Sequence, residues 1–298
     1  MDGPIFLLGS ARSGTTLLRL LLTSHPAVCI APESSFLTWY PETYSDWSAE
    51  DVDSSRRPAF VADLMAARKF VTWGLAADDI DARIVRNRPR SYAELVEIPY
   101  RMYAESIGKP DAQWGDKNNI HMDFVSQIDE LFENARFLHI VRDVRDCFVS
   151  SADIRALDST SPYKPQLSAN PVEFAEAWDT QNRKALAALS TIGSNRWETI
   201  RYEDLVSSPE KTLSPVLHMW GMKWDDEMLS FHVSNRNQQL EPIETSEWKT
   251  LVSEPVTDSQ VGRFRAKLSD EEIAALEKAG RHTLEQFGYI SANGGESS

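Results

Sequence analysis

A short loop near the start of the chain carries the residues best suited to binding a phosphate. Residues 9–16 read GSARSGTT and lie between an apolar segment and a predicted helix. The backbone N–H groups of such a loop, with the positive end of the following helix, form a site for an anion. The two glycines have the spacing of the phosphate-binding pattern G-x-x-x-x-G-K-[ST]. The sequence therefore predicts a phosphate-binding loop here, called the phosphate loop below.

One position of the phosphate loop departs from the nucleoside triphosphatase pattern. Thr15 stands where those enzymes have lysine, and Arg12 supplies a positive charge from inside the loop. Splitting a β–γ phosphate bond requires that lysine and a magnesium-binding carboxylate near a later strand. The apolar segment 137–141 is followed first by Arg142. We therefore predict phosphate binding without the triphosphate apparatus, with a plain Ser/Gly turn as the alternative.

A second basic site is predicted at Arg142. Ser150 follows eight residues later, and residues 143–156 have the pattern of a helix. Eight residues are just over two helical turns, so the two side chains share a face. A guanidinium and a hydroxyl on one face suit a second phosphate monoester. The alternative is a surface ion pair of Arg142 with the neighbouring Asp143 or Asp146.

Composition narrows the class of protein. The 298 residues are 42% hydrophobic and 26% charged, with a formal net charge of −14, which is typical of a soluble globular protein with a substantial core. So acidic a chain predicts no binding to nucleic acid or anionic lipid, and an anionic ligand would need a local basic pocket. Two cysteines are too few for a disulfide framework or a cysteine-built metal site. With no apolar run long enough to span a bilayer and no targeting segment, we expect a cytoplasmic protein.

The order of predicted elements indicates the fold. Short apolar segments at 5–8, 28–30, 136–141 and 197–201 are typical of buried strands, and helical patterns separate them. Such alternation predicts an α/β fold of the P-loop type, in which helices cover both faces of a central parallel sheet. We expect one domain over residues 1–290, with a helical insertion at about 36–112, the lid, and a flexible tail at 291–298. The segment before the tail, 270–287, is predicted to be one helix.

Four stretches together resemble a known family, the sulfotransferases that use 3′-phosphoadenosine 5′-phosphosulfate. They are GSARSGTTLL at 9–18, WGDKNN at 114–119, FLHIVRDVRDCFVSS at 137–151 and RYEDLVSSPE at 201–210. The chain is more similar to the bacterial and tyrosylprotein branch than to the branch that acts on small phenols and steroids. The resemblance implies this three-layer fold, sulfuryl transfer without a metal, and adenosine 3′,5′-bisphosphate as the product.

The resemblance also implies roles for individual residues. Tyr202 would lie beside the nucleoside, Lys117 would contact the transferred sulfuryl group, and Arg263 would belong to a loop over the 3′-phosphate, for which Arg142 and Ser150 are the other expected ligands. The residues implied to bind the 5′-phosphosulfate are Arg12, Ser13, Gly14, Thr15 and Thr16. Arg12 and Lys117 would also stabilise the charge that develops during transfer.

The catalytic base is implied to be Glu33. The histidine that serves as base in the phenol and steroid branch is replaced by Asn119, which cannot accept a proton. In the tyrosylprotein branch a glutamate beyond a His-Pro pair has this role, and Glu33 follows His25-Pro26 here. A free glutamate is a weak base, so we expect partial burial to raise its pKa. Ser35 replaces the arginine that follows this glutamate in the family, which argues against an acidic peptide acceptor.

Several alternatives stay open at this stage. Glu33 could cap the next helix, Lys117 could be solvated and Tyr202 could pack in the core. Aromatic residues of the lid could line an acceptor pocket or form the lid's own core; they are Trp39, Tyr40, Tyr44 and Trp47. The predicted acceptor is a hydroxyl on a small or carrier-bound molecule, and the sequence leaves the oligomeric state open. The competing functions are a kinase that uses ATP and magnesium, and a sensor that binds the bisphosphate without catalysis.

Overall fold

Five parallel strands form the centre of the molecule in the computed structural model. The structure describes residues 3–39, 41–245 and 247–291. The strands lie side by side in the order β2-β3-β1-β4-β5 and every neighbouring pair is parallel. Their bounds are β1 Ile5–Leu8, β2 Val28–Ile30, β3 Gln113–Lys117, β4 Arg136–Val141 and β5 Trp197–Arg201. The predicted central parallel sheet is confirmed.

Both faces of the sheet are covered, as the apolar runs in the strands require. Successive side chains of a strand point to opposite faces. Phe6 accordingly packs in one apolar cluster with Phe137, while Leu7 packs in a second cluster with Leu138 and Ile140. The first cluster joins the sheet to the lid, and the second joins it to the helix that follows the phosphate loop. The three-layer prediction is confirmed.

Fifteen α-helices surround the sheet in the described residues, with six short 3-10 helices between them. The first nine are α1 Thr15–Ser24, α2 Phe36–Trp39, α3 Pro41–Tyr44, α4 Arg56–Ala66, α5 Ala77–Asn87, α6 Tyr92–Ser106, α7 Val125–Leu131, α8 Val144–Ala156 and α9 Pro171–Leu189. The others are α10 Tyr202–Ser207, α11 Pro209–Met219, α12 Phe231–Gln238, α13 Phe264–Lys267, α14 Asp270–Ala279 and α15 Arg281–Gln286. None of the described helices is both long and apolar enough to cross a bilayer.

The lid has an aromatic core of its own. Helices α2 to α6 lie between β2 and β3, which matches the predicted helical insertion. Tyr44 and Trp47 are buried and pack around Phe60, with ring centroids 5.3 and 6.1 Å from it. These two aromatic residues therefore support the lid and do not line the cavity described below. The side chain of Trp39 and all of Tyr40 lie outside the described residues.

Strand β3 is absent from the sequence prediction. It reads QWGDK, and its Asp116 and Lys117 argue against a buried strand when the sequence is read alone. Both are nevertheless buried, because β3 lies between β2 and β1 and its polar side chains find partners inside the protein. Its end brings Lys117 to the same edge of the sheet as the end of β1.

The predicted single helix at 270–287 is wrong. The structure has two helices, α14 and α15, which meet at Gly280. A glycine weakens a helix because its backbone loses more freedom on folding than any other residue. The start of α14 agrees with the sequence, since Ser269 and Glu272 form the reciprocal hydrogen bonds of a capping box.

Candidate functional site

A cavity of about 390 Å³ opens where the strands end. The end of β1 leads into the phosphate loop, β3 ends at Lys117, and Arg142 and Tyr202 follow β4 and β5. The carboxyl edge of a parallel sheet is the usual place for a ligand site in such folds. Nine of the residues singled out from the sequence line the cavity: Arg12, Gly14, Thr15, Thr16, Glu33, Lys117, Arg142, Ser150 and Tyr202.

The phosphate loop has the geometry of an anion site. Gly14 has φ 95°, and a Cβ added there would lie 2.4 Å from the ring of Tyr202, so only glycine fits. Helix α1 starts at Thr15, and the first N–H groups of a helix have no partner within it. Ser13 is fully buried, and its hydroxyl pairs with that of Ser10 at 2.8 Å. The loop thus presents backbone donors to the cavity on a rigid base.

Arg12 is held in a strained conformation at the cavity. Its φ is 69°, which a residue with a side chain rarely adopts. The guanidinium donates to the Ser150 hydroxyl at 3.0 Å and to the Trp248 carbonyl at 3.4 Å. Burial, and then the charge of Arg142, lower the pKa of Arg12 to about 10. An anion in the cavity would favour the charged form of Arg12 and so raise this pKa.

Arg142 lies directly beside Arg12. Its guanidinium donates to the Arg12 carbonyl at 3.1 Å and to the Gln260 carbonyl at 2.7 Å, and it stacks 4.3 Å from the centre of the Tyr202 ring. The Nε atom is buried without a hydrogen-bond partner among the described residues. Within the residues that the structure describes, neither Arg12 nor Arg142 forms an ion pair with a carboxylate. We call these two residues the guanidinium pair.

The carboxylate after β4 already has partners. Asp143 caps α8 by accepting from the backbone N–H of Arg145 at 2.9 Å. It also forms an ion pair with the Arg145 guanidinium at 2.6 Å. An ion pair between Arg142 and Asp143 was the alternative role for Arg142. The structure shows that Asp143 pairs with Arg145 instead.

Glu33 lies between two lysines. Its carboxylate is 3.0 Å from Lys69 Nζ and 3.4 Å from Lys117 Nζ. Burial alone would raise the pKa of Glu33, but the charges of Lys117 and Lys69 outweigh burial and hold that pKa well below its usual range. The predicted rise in the pKa of Glu33 is therefore wrong, because Glu33 is buried beside two ammonium groups. Glu33 is an anion here.

Lys249 is a third lysine of the cavity, and neither it nor Lys69 was identified from the sequence. Lys249 lines the cavity and forms an ion pair with Glu241, whose other oxygen accepts from Arg19 at 2.8 Å. Neither Lys249 nor Lys69 lies in a recognisable motif, and Lys69 has φ 68°. Only the tertiary fold brings these lysines to Lys117. We call Lys69, Lys117 and Lys249, with Glu33 and Glu241, the lysine cluster.

The lid and β3 are bonded together just before Lys117. Asp116 is fully buried and accepts at one oxygen from the Tyr100 hydroxyl at 2.6 Å. The same oxygen is 2.8 Å from Nε2 of His121. Tyr100 belongs to α6, and its ring stacks on Trp114 with centroids 4.4 Å apart. The backbone that carries Lys117 is thereby fixed to the lid.

Arg263 does not line the cavity but pairs with Asp153, which does. It donates to Asp153 at 2.9 Å and to the Gln260 side chain at 2.6 Å. The loop that it belongs to is anchored by Asp146, which accepts from the backbone of Gly262 and Phe264. Gln260 of this loop contacts Arg142 through its carbonyl, so the loop reaches the guanidinium pair through its backbone.

Comparison with known proteins identifies the family. A family model described as "Sulfotransferase family" matches residues 4–226, which is most of the chain. The chain belongs to the sulfotransferase family. A protein-tyrosine sulfotransferase of Drosophila melanogaster is 25% identical over 229 residues, which are 76% of this chain and 39% of that protein. The chain thus spans well under half the length of that relative.

Solved structures show the same fold. The sulfotransferase domain of the Synechococcus PCC 7002 olefin synthase matches with a TM-score of 0.59 and 20% identity, covering 92% of this chain and 93% of that one. Mouse sulfotransferase SULT7A1, solved in complex with PAP, matches with a TM-score of 0.52 and 11% identity over 96% of this chain and 85% of its own. The family assignment rests on the sequence, and these two structures support the architecture.

Proposed function

We propose that this protein transfers a sulfuryl group from 3′-phosphoadenosine 5′-phosphosulfate to a hydroxyl. The observation that carries the proposal is the guanidinium pair: the half-buried Arg12 and the buried Arg142 line the cavity and donate to carbonyls and a hydroxyl rather than to carboxylates. Buried charges need partners, so two such cations favour a polyanionic ligand. Membership of the sulfotransferase family and a structural neighbour that binds PAP agree with this ligand.

The residues present fit such a donor. Arg12 and the loop backbone at Ser13 and Gly14 would hold the 5′-phosphosulfate, together with the first helical residues, Thr15 and Thr16. Arg142 and Ser150 would hold the 3′-phosphate, Tyr202 would lie beside the nucleoside, and Arg263 would support the loop over that phosphate. The buried, unpartnered Nε of Arg142 supplies one donor that the protein leaves unused among its described residues.

Transfer itself would depend on positioned charge. Sulfuryl transfer, like phosphoryl transfer, is an in-line displacement with a loose transition state. The sulfur–oxygen bond to the 5′-phosphate breaks while the acceptor oxygen bonds to sulfur. Arg12 and Lys117 would stabilise the charge that develops on the bridging oxygen. We infer that this chemistry needs no metal ion.

Glu33 is the proposed base for the acceptor hydroxyl. It lines the cavity and contacts Lys117, so an acceptor oxygen beside the sulfuryl group would be within its reach. Contact of Lys117 with the donor would take one ammonium group away from Glu33. Its pKa would then rise, because part of the opposing positive charge is withdrawn. Donor binding and activation of the base are coupled in this way.

The acceptor is proposed to be a hydroxyl of a small or carrier-bound molecule. We further propose that residues 1–290 form one sulfotransferase domain and that the lid, residues 36–112, binds the acceptor. Glu33 and Lys69 flank the start of the lid and its first long helix, which supports this position for the acceptor. We also propose that the protein is located in the cytoplasm.

A kinase is the competing function. It would need ATP and a magnesium-binding carboxylate near the phosphate loop. Asp143, the acid that follows β4, caps α8 and pairs with Arg145 instead. Thr15 also replaces the lysine of the triphosphate pattern. Both observations favour the sulfotransferase.

Calorimetric titration tests the proposal directly. Adenosine 3′,5′-bisphosphate and ATP are titrated separately, each with and without magnesium. Binding that prefers the bisphosphate and does not require magnesium is expected. A magnesium-dependent preference for ATP would support the kinase instead.

A transfer assay separates an enzyme from a sensor. Radiolabelled phosphosulfate donor is incubated with phenols, aliphatic alcohols, carbohydrates and tyrosine peptides, and labelled products are counted. We expect transfer to at least one hydroxyl acceptor. Tight binding of the bisphosphate with no transfer, even to water, would identify a sensor.

A further inference from the structure

The lysine cluster carries more positive charge than its own carboxylates neutralise. Lys69 and Lys117 share Glu33, while Lys249 shares Glu241 with the fully buried Arg19. The three lysines and Arg19 thus meet two carboxylates, so positive charge exceeds negative charge by two among these groups, and the three lysines line the cavity. This surplus is separate from the guanidinium pair.

Lys249 is a member of the cluster that can meet a ligand in the cavity. It lines the cavity, and its side chain is only 9% exposed. The charges of Lys117 on β3 and Glu33 after β2 both act on it. On its other side it contacts Glu241 and the Thr245 hydroxyl.

The position of Lys249 is fixed from behind. Glu241 accepts from Lys249 and Thr245 at one oxygen and from Arg19 at the other. Arg19 comes from α1, directly below the phosphate loop, and also donates to the Leu240 carbonyl at 2.7 Å. Because Arg19 already balances Glu241, the charge of Lys249 is available to a ligand. The ammonium group is therefore held near Lys117 by a rigid, buried support.

We propose that Lys249 is a further catalytic residue, which contacts the transferred sulfuryl group together with Lys117. This inference rests on the proposed function and adds a residue that lies in none of the four motifs. Two ammonium groups would share the sulfuryl oxygens, while Arg12 faces the bridging oxygen. Glu241 and Arg19 act through Lys249 and are positioning residues.

The role of Lys249 requires its proton throughout the reaction. The sulfur–oxygen bond of the donor breaks, the acceptor oxygen bonds to sulfur, and the acceptor proton moves to Glu33. Lys249 neither gives nor takes a proton. It offsets the charge on the sulfuryl oxygens, which a preorganised cation does without further rearrangement.

This role predicts a distinctive pH dependence. Burial lowers the pKa of Lys249 to about 8, against the opposing charge of Glu241. The cationic form predominates below that pH, so kcat/KM should fall as the pH rises through about 8. Binding of the anionic donor favours the cation, and the corresponding fall in kcat should lie at higher pH.

The test compares Lys249→Met and Lys249→Arg with the wild type. Lys184→Met, at an exposed lysine outside the cavity, is the matched control. Transfer is followed with the acceptor found by screening, and with water when no acceptor is used. We expect Lys249→Met to lose roughly 10²–10³-fold in turnover, as for removal of a preorganised donor. Its affinity for the bisphosphate, which lacks the sulfuryl group, should change little and shows that it folds.

Lys249→Arg gives the discriminating result. Arginine stays charged at all accessible pH values, so the variant should retain activity and lose the fall in kcat/KM near pH 8. Wild-type turnover in Lys249→Met, or an unchanged alkaline fall in Lys249→Arg, would overturn the proposal.

Failure of this inference can be distinguished from failure of the proposed function. Donor and bisphosphate affinities are compared by calorimetry in the wild type and in Lys249→Met, which requires no turnover. A contact with the sulfuryl group predicts that the variant loses affinity for the donor but not for the bisphosphate. Equal affinities in both proteins would contradict the contact even if no acceptor is ever found.

Discussion

The guanidinium pair and the lysine cluster hold their charges by different means. Arg12 and Arg142 donate to carbonyls and a hydroxyl, and among the described residues they have no carboxylate partner. Lys69 and Lys117 contact Glu33, and Lys249 contacts Glu241. One group therefore depends on a ligand for its counter-charge, whereas the other carries much of its counter-charge within the protein.

The difference indicates a division of labour. A guanidinium bonds more strongly to a phosphate than to a neutral carbonyl, so the guanidinium pair suits the binding of an anionic ligand. A buried carboxylate keeps its ion pair and fixes the geometry around it, which suits chemistry at a defined point. We therefore expect substitution of Arg142 to weaken binding, substitution of Arg12 to weaken binding and slow transfer, and substitutions in the lysine cluster to reduce turnover or stability.

Glu33→Gln should have the largest effect on turnover. Glutamine keeps the size of the side chain but cannot accept the acceptor proton. We expect kcat to fall roughly 10²–10⁴-fold, the range for loss of a general base. The affinity for adenosine 3′,5′-bisphosphate, measured by calorimetry, should stay close to that of the wild type. Unchanged kcat with a good acceptor would remove Glu33 from the role of base.

Glu241→Gln should have the largest effect on stability. It leaves the fully buried Arg19 without its carboxylate, a change that costs about 3–5 kcal/mol in buried pairs. Unfolding in urea, followed by circular dichroism, measures this loss. A decrease in the free energy of unfolding of less than about 1 kcal/mol would show that the hydrogen bonds of Arg19 to carbonyls are enough to stabilise it.

The same carboxylate predicts acid sensitivity. Burial would raise the pKa of Glu241, but Lys249 and Arg19 outweigh burial and lower it from 4.5 to about 2. A carboxyl whose pKa is lower when folded stabilises the protein above its unfolded pKa, and that stability is lost as the pH falls from about 4.5 to 2. Glu241→Gln should unfold with a weaker dependence on pH in that range.

Much of this site could be predicted from the sequence, and the rest could not for physical reasons. The phosphate loop, Arg142 and Ser150 lie in local patterns, and local patterns specify strand–loop–helix geometry. Lys69 and Lys249 are separated by most of the chain and meet only through the folded lid and the segment after α12. Strand β3 was missed for the same reason, because Asp116 and Lys117 also depend on Tyr100 and Glu33, which are distant in the sequence.

Arg142→Ala should have an intermediate effect on binding and little on stability. Loss of a charged hydrogen-bond partner costs about 1.5–3 kcal/mol, so the bisphosphate should bind roughly 10- to 150-fold more weakly. Adenosine 5′-phosphate, which lacks the 3′-phosphate, should lose much less affinity. Equal losses for both ligands, measured by calorimetry, would remove Arg142 from the 3′-phosphate site.

Tyr100→Phe should have the smallest effect and tests whether the lid positions the lysine cluster. It removes the hydrogen bond to Asp116 but keeps the ring stacked on Trp114. We expect unfolding to become easier by about 1 kcal/mol and kcat to fall less than in Glu33→Gln, with bisphosphate affinity retained. Tyr92→Phe is the matched control. Tyr92 also lies on α6, and its hydroxyl donates to the Leu37 carbonyl within the lid. A similar loss of stability in both variants, with kcat reduced only in Tyr100→Phe, would separate positioning of Lys117 from general support of the lid.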